Sequence, residues 1–188
     1  MSSGTVAVRY AKALLKYAEE NGCQAEVYDK MNRLAACIRT VPQIMDRLKD
    51  PTVSDSDKSR LLVTAAAECD GKPVGKALEN FLELVVRSGR CESLIFIAHS
   101  YRVIYRAKYN VLPVELSTAT SVDDAQRTEL MRFIESKTDD TLEWREKVDP
   151  SLMGGFVLQV SDYRLDASVA RRLRIIEKEL IEKNSRII

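Results

Sequence analysis

Glycine and proline are scarce in this chain, with 7 and 5 among 188 residues, which argues against long loops and many tight turns. Charge of one sign is also missing. Lys and Arg (29) balance Asp and Glu (28) to a net charge of +1, and no basic stripe stands out, so the usual reason to propose nucleic-acid binding is absent. No apolar run approaches the roughly 18 to 20 residues of a membrane span; stretches such as Leu61 to Ala67 are far shorter. The opening Met1-Ser2-Ser3-Gly4-Thr5 has neither a basic-then-apolar signal nor an Arg-rich presequence. The expectation is a mature chain beginning near Met1, as in a bacterial cytoplasmic protein; a processed organelle protein would read the same way. The four cysteines, Cys23, Cys37, Cys69 and Cys91, include no CxxC pair, and His99 is the only histidine, so zinc-ligand spacing is absent. Reduced thiols are expected. What remains is 45% hydrophobic and 30% charged, the mix of a soluble globular protein long enough for one sizeable domain or two small ones.

The first half is patterned for helices. Ala7, Tyr10, Ala11, Leu14 and Ala18 recur at helical spacing, and Asn21-Gly22 supplies a stop. Val27, Met31, Leu34, Ile38 and Val41 form a second seam, ended by Pro42. Ile44, Met45 and Leu48 make a short third helix before Pro51. Ser54 is placed to cap a fourth, with Asp55 and Asp57 in its first turn, carrying Leu61, Leu62 and Ala65. Cys69 to Pro73 reads as a loop. A fifth helix carries Leu78, Phe81, Leu82 and Val85 up to Gly89, and a sixth carries Leu94, Ile97, Tyr101 and Ile104. Each is amphipathic and too short to be stable alone, so short connections predict an antiparallel bundle over residues 1–107.

The period changes after Tyr109-Asn110. Leu112, Val114 and Leu116 alternate with Pro113, Glu115 and Ser117, a strand with an edge position suggested at Pro113. Ser121 is read as the cap of a helix carrying Val122, Ala125, Leu130, Phe133 and Ile134. A second strand is Leu142, Trp144 and Val148, and a third is Phe156, Leu158 and Val160. Ser168 caps a last helix with Val169, Leu173, Ile176 and Leu180. The fold class expected is α+β: a six-helix bundle over 1–107, then a small α/β domain over 108–188 in the order strand, helix, strand, strand, helix.

Candidate chemistry is thin. His99 has no predictable orienting partner for general-base work. Cys91 follows Gly89-Arg90 at a helix start, where a thiol pKa would fall, but no companion His or Cys is in sight. Gly154-Gly155 belongs to neither a P-loop nor a dinucleotide fingerprint; before a strand it reads as a tight turn or a close backbone approach. Asp123-Asp124 and Asp139-Asp140 fit a helix start and a loop rather than a metal site. Arg171, Arg172 and Arg174, followed by Glu177, Glu179 and Glu182, read as a solvated helix face. No catalytic residue, metal or cofactor is expected. Pattern alone reaches a binding module.

Three segments go further. Val148-Asp149-Pro150-Ser151-Leu152-Met153-Gly154-Gly155-Phe156-Val157-Leu158-Gln159-Val160, continued by Asp162, Asp166, Ser168-Val169 and Arg172-Leu173, resembles the C-terminal signature of the delta subunits of F-type ATP synthases, the family of the mitochondrial oligomycin-sensitivity-conferring protein. Arg9-Tyr10-Ala11-Lys12-Ala13-Leu14 resembles that family's opening helix, and Asn80-Phe81-Leu82-x-Leu84-Val85-x-x-x-Gly89-Arg90 its fifth helix and the turn after it. Where family members often have Asp-Gly-Ser, this chain has Asp166-Ala167-Ser168, so the turn either needs no positive φ or tolerates strain. The stretch 42–76 matches only loosely.

The resemblance implies a six-helix bundle followed by an α/β domain, and a non-catalytic stator connector of a proton-translocating synthase. Its partners would be N-terminal segments of the alpha subunits at the bundle and the b subunits of the peripheral stalk at the second domain. It would sit on the cytoplasmic face of the bacterial plasma membrane, held there only through the complex. The alpha segment would lie between the first and fifth helices, where Tyr10, Leu14, Leu78, Leu82 and Val85 are the expected contacts; the competing reading makes all five ordinary core. The exposed parts of the last helix, with Ile187 and Ile188 beyond it, are candidates for the stalk contact; the competing reading makes them a frayed tail. Two readings from other classes are a helical adaptor unrelated to the synthase and a small enzyme with a Cys91 nucleophile.

Overall fold

A computed structural model describes residues 3–67 and 73–185. The chain divides into two compact units, Met1–Lys108 and Tyr109–Ile188.

The first unit is all helical: α1 (Ser3–Glu20), α2 (Gln24–Thr40), α3 (Gln43–Lys49), α4 (Asp55–Ala67), α5 (Lys76–Arg87) and α6 (Leu94–Tyr109), with a short 3-10 turn at Cys91–Ser93. The terminators act as their chemistry dictates. Gly22 (φ 65) lets the Cys23 and Gly22 amides donate to the Ala18 and Glu19 carbonyls, closing α1 with a Schellman pair of bonds. Gly89 (φ 63) repeats the device on α5, with Arg90 and Gly89 donating to Val85 and Val86. Ser54 Oγ accepts from the Asp57 amide at 3.2 Å and donates to its carboxylate at 2.7 Å, an N-cap opening α4. Leu14, Leu34, Leu62, Leu78, Leu82, Val85, Leu94, Ile97 and Tyr101 are at most 1% exposed and form one continuous core. Val41, the last member of the second seam, lies past the end of α2 and is exposed. The predicted loop at Cys69 falls outside the described residues.

The second unit is a four-stranded sheet with two helices: β1 (Val111–Thr118), α7 (Asp124–Glu135), β2 (Thr141–Val148), β3 (Phe156–Val160), β4 (Tyr163–Asp166) and α8 (Val169–Ser185). The strand order is β2-β1-β3-β4, with β1 parallel to β2 and antiparallel to β3, and β3 antiparallel to β4. Register puts Leu112, Val114, Leu116, Leu142, Trp144, Leu158 and Val160 on one face. On that same face Glu146 of β2 is paired with Arg127 of α7, whose Nη2 donates to one carboxylate oxygen at 3.2 Å while Nε stands in ion-pair contact with the other. Ile134 is the only apolar residue of α7 that is buried.

Three sequence expectations need correction. β1 is an interior strand, so Pro113 does not mark a sheet edge. Its carbonyl accepts from the Ser161 amide at 3.0 Å, one step beyond the last β1–β3 pair, Val114↔Val160. The missing proline N–H therefore falls where that ladder has already ended. Helix α7 starts two residues later than expected, after Asp123 rather than Ser121. Strand β4 was not expected because it is only four residues long and follows a Ser161-Asp162 loop in which Ser161 takes a positive φ (50) without the glycine or asparagine that announces a hairpin.

Candidate partner-binding groove

The first unit carries an apolar groove of about 550 Å³ between α1 and α5, lined by Arg9, Tyr10, Ala13, Leu14, Tyr17, Asn80, Phe81 and Leu84. Helix geometry explains it. Ala7, Ala11, Leu14 and Ala18 turn inward, while Tyr10, Ala13 and Tyr17 occupy the neighbouring stripe. On α5, Leu78, Leu82 and Val85 face the core, and Leu84 is 54% exposed beside Asn80 and Phe81. Two small residues, Ala13 on the groove and Ala11 behind it, keep the α1 wall low. The Tyr10 and Phe81 rings meet edge to face, 6.4 Å between centroids at 69°. The Asn80 amide donates to the Tyr17 hydroxyl at 3.4 Å, closing the floor. From Arg9 to Tyr17 the groove runs roughly 12 Å, about two turns of a helix.

Of the five expected contacts, Tyr10 and Leu14 line this groove. Leu78, Leu82 and Val85 lie beneath it, at 1%, 0% and 0% exposure, and belong to the bundle core. The lining residues that the expected set left out are Arg9, Ala13, Tyr17, Asn80, Phe81 and Leu84. Leu84 had a signal: it is an apolar residue at a position where the helical period asks for a polar one. A more polar depression lies on the other side of α5, lined by residues including Ser59, Arg60, Glu79, Glu83 and Arg87.

The chemistry candidates fare as follows. His99 is exposed. Burial pushes the Cys91 thiol up from its ordinary value; nearby Lys58 pulls it down more weakly. The lowering read from this helix start is therefore reversed. No cluster of three or more His, Cys, Asp or Glu side chains suited to a metal occurs among the described residues. No described helix is long and apolar enough to cross a membrane.

The signature in the second unit builds a joint rather than a site. Asp149 accepts from the Ser151 amide and hydroxyl at 3.0 and 2.5 Å, and its own amide donates to Thr118. The chain then passes through Met153 (φ 61), Gly154 (φ 150) and Gly155 (φ 73). A Cβ on Gly155 would stand 2.3 Å from the Ala167 carbonyl oxygen, so glycine is needed for close approach as well as for φ. This is the tight turn and the close packing expected of Gly154-Gly155 at once. Across from it Asp166 accepts from the Ser168 amide and hydroxyl at 3.1 and 2.7 Å, and Ser168 Oγ accepts from the Arg171 amide at 3.2 Å. Ser168 thus caps α8 as expected, and Ala167 is not among the residues with positive φ. The Val169 amide donates to the Gly154 carbonyl at 3.0 Å, fastening the start of α8 to the signature loop.

Beyond its first turn α8 is bare: every described side chain from Arg171 to Ile181 is exposed. The side chains of Ile187 and Ile188 lie outside the described residues.

Comparison with known proteins places this architecture. Residues 6–180 match the model of the ATP synthase delta (OSCP) subunit family. The chain is 35% identical over 188 residues to the ATP synthase subunit delta of Phocaeicola vulgatus and 37% identical over 188 residues to that of Bacteroides fragilis, covering 100% of both chains in each case. Its fold is also similar to a chain in the cryo-EM structure of the Toxoplasma gondii mitochondrial ATP synthase hexamer, with a TM-score of 0.63 at 21% identity, covering 96% of this chain and 98% of that one. A match across the whole chain rules out the unrelated helical adaptor: this chain belongs to the ATP synthase delta (OSCP) subunit family.

Proposed function

We propose that this chain is the non-catalytic stator connector of a proton-translocating F-type ATP synthase. Its first unit takes an amphipathic N-terminal segment of an alpha subunit in the α1–α5 groove. Its second unit meets the b subunits of the peripheral stalk through the exposed face of α8. It is held on the cytoplasmic face of a bacterial plasma membrane only through those contacts. In this role it keeps the catalytic head from turning with the rotor, so that proton-driven rotation is converted into ATP.

The observation that carries the reading is the groove itself. It is apolar, open along its length, about two helical turns long, and walled by aromatic side chains on helices. A partner helix presenting apolar residues at i, i+3, i+4 and i+7 would fill it, with Tyr10 and Phe81 as anchors. Arg9 at one end favours an acidic residue at the matching end of the segment.

The test is titration of the full chain with a fluorescent peptide of the alpha-subunit N-terminus. Leu84→Asp and Tyr10→Asp should each weaken binding by about tenfold or more while the far-ultraviolet dichroism of the bundle is kept. Unchanged affinity in both variants would reject the groove. Pulldown from solubilised membranes that recovers neither alpha nor b subunits would reject the connector role.

A further inference from the structure

Two apolar surfaces of this chain stand open, and each matches what the other lacks. The α1–α5 groove is about two helical turns long, with Leu84 54% exposed on one wall and Ala13 keeping the other wall low. On α8, Leu173, Ile176 and Leu180 follow one another at steps of three and four and are 49%, 52% and 57% exposed. They are the i, i+3 and i+7 anchors of a helix suited to a groove of that length.

The sheet of its own unit does not cover this stripe. The start of α8 is held by the Ser168 cap and by the Val169 amide on the Gly154 carbonyl, and every described side chain from Arg171 to Ile181 is exposed. A helix of 17 residues with so little packing is marginal in water on its own. Charge favours the match as well. Arg9 lies at one end of the groove, and none of the described residues lining it is acidic. Glu177 and Glu179 flank the α8 stripe on its two sides, at about 70° and 90° from its middle.

We propose that, while the chain is free, the α1–α5 groove of one copy holds α8 of a second copy. The proposal rests on the connector reading only in that this groove accepts an amphipathic helix. Leu173, Ile176 and Leu180 seat among Tyr10, Tyr17 and Leu84, in the place proposed for the alpha-subunit segment. The contact joins unlike surfaces. A pair held by one such contact still has a groove and a stripe to spare and can add further copies. Two turns of helix bury much less than the roughly 800 Å² per partner of a standard interface, so the contact is weak and yields to a tighter ligand. It acts as a placeholder: it covers apolar surface in the unassembled chain and releases the groove when the alpha-subunit segment arrives.

The experiment is sedimentation of the full chain over a wide range of concentration. The average mass of the unaltered chain should rise with concentration toward and beyond that of two copies, and excess alpha-subunit peptide should return it to that of one. Leu84→Asp spoils the groove and Ile176→Glu the stripe, both at exposed positions, so each variant alone should stay a single copy throughout. Mixed in equal amounts they should form a pair and nothing larger, since the mixture holds one sound groove and one sound stripe. An unaltered chain that stays single at every concentration overturns the proposal. A Leu84→Asp chain that associates like the unaltered one also overturns it, because stripe then meets stripe. So does a mixture of the two variants that stays apart while each keeps its helical dichroism. The connector reading fails by a different result: an unaltered chain, single at low concentration, that binds no alpha peptide.

Discussion

The two units solve the same problem with different means. The helical unit buries most of its large apolar side chains, and its elements close on a common core. In the second unit only Val114, Leu116, Ile134 and Val157 are buried apolar residues among those described, while Leu165, Leu173, Ile176 and Leu180 face solvent. A unit of that size sits near the lower limit for a self-sufficient core. It leans on backbone devices instead: the Asp149 and Asp166 turns, the Gly155 approach to Ala167, the Ser168 cap and the Arg127–Glu146 pair. The difference fits the proposed connector role, in which the first unit offers a well-packed docking body and the second leaves apolar surface open for a partner.

The widest separation should come from leucine truncation. Leu82→Ala in the first unit should cost about 2–5 kcal/mol in denaturant unfolding, since the side chain is fully buried. Leu173→Ala on α8 should fall within about 0.5 kcal/mol, because that side chain has little packing to lose. Comparable losses at both positions would break the contrast.

Glycine changes test whether the second unit depends on its backbone joint. Gly155→Ala combines a left-handed φ with a contact to Ala167 that must shift, and should cost about 1–3 kcal/mol or more. Gly89→Ala has a similar φ but open space around it, and should cost about 1 kcal/mol. Thermal unfolding of the two variants should rank them in that order.

Caps give a smaller step. Ser54→Ala and Ser168→Ala should each cost about 1 kcal/mol. Ser168 should be the more costly because it is fully buried and its loss strands the Asp166 bond.

Acid should give the gentlest separation, since the carboxylates concerned are near the surface and screened. Hydrogen bonds from Ser168 hold Asp166 below its ordinary value, and those from Ser151 do the same for Asp149. Glu146 is lowered first by the Trp144 indole, which donates at 2.7 Å, and then by Arg127. Each folded pKa lies below the unfolded one. Their contribution is complete above the ordinary carboxylate range and is lost as pH falls through the depressed values. In the first unit Asp50 is lowered in the same way by Thr52. The second unit, with three such groups, should therefore loosen first. Trp144 is the only tryptophan in the chain, so its fluorescence reports on that unit alone. Its acid transition should precede the loss of helical dichroism, and coincident transitions would count against the contrast.

How much was legible follows the same division. The helices of the first unit could be read because amphipathic spacing, Gly22, Gly89 and Ser54 act locally, within a turn or two of chain. The signature from Val148 to Val160 was visible as a motif, but its purpose was not, because Gly155 meets Ala167 only after the chain has folded back. The interior place of β1 was hidden for the same reason: strand order is set by pairings distant in sequence. The groove was half legible. Periodicity found Tyr10 and Leu14, yet it also drew in Leu78, Leu82 and Val85, since an apolar residue facing a core and one facing a groove follow the same spacing.

Sequence by itself determined the six helices of the first unit with their stops at Gly22 and Gly89, the change of period near Tyr109, and membership of the family, because each is written in residues near one another or in motifs met in order. Tertiary structure alone decided that Leu84 and Phe81 wall the groove while Leu82 does not, and that the Cys91 thiol is pushed up rather than lowered. It also decided that the apolar stripe of α8 is left open. The physical reason is that burial is a property of what packs against a side chain, and its neighbours in space are mostly not its neighbours in the chain.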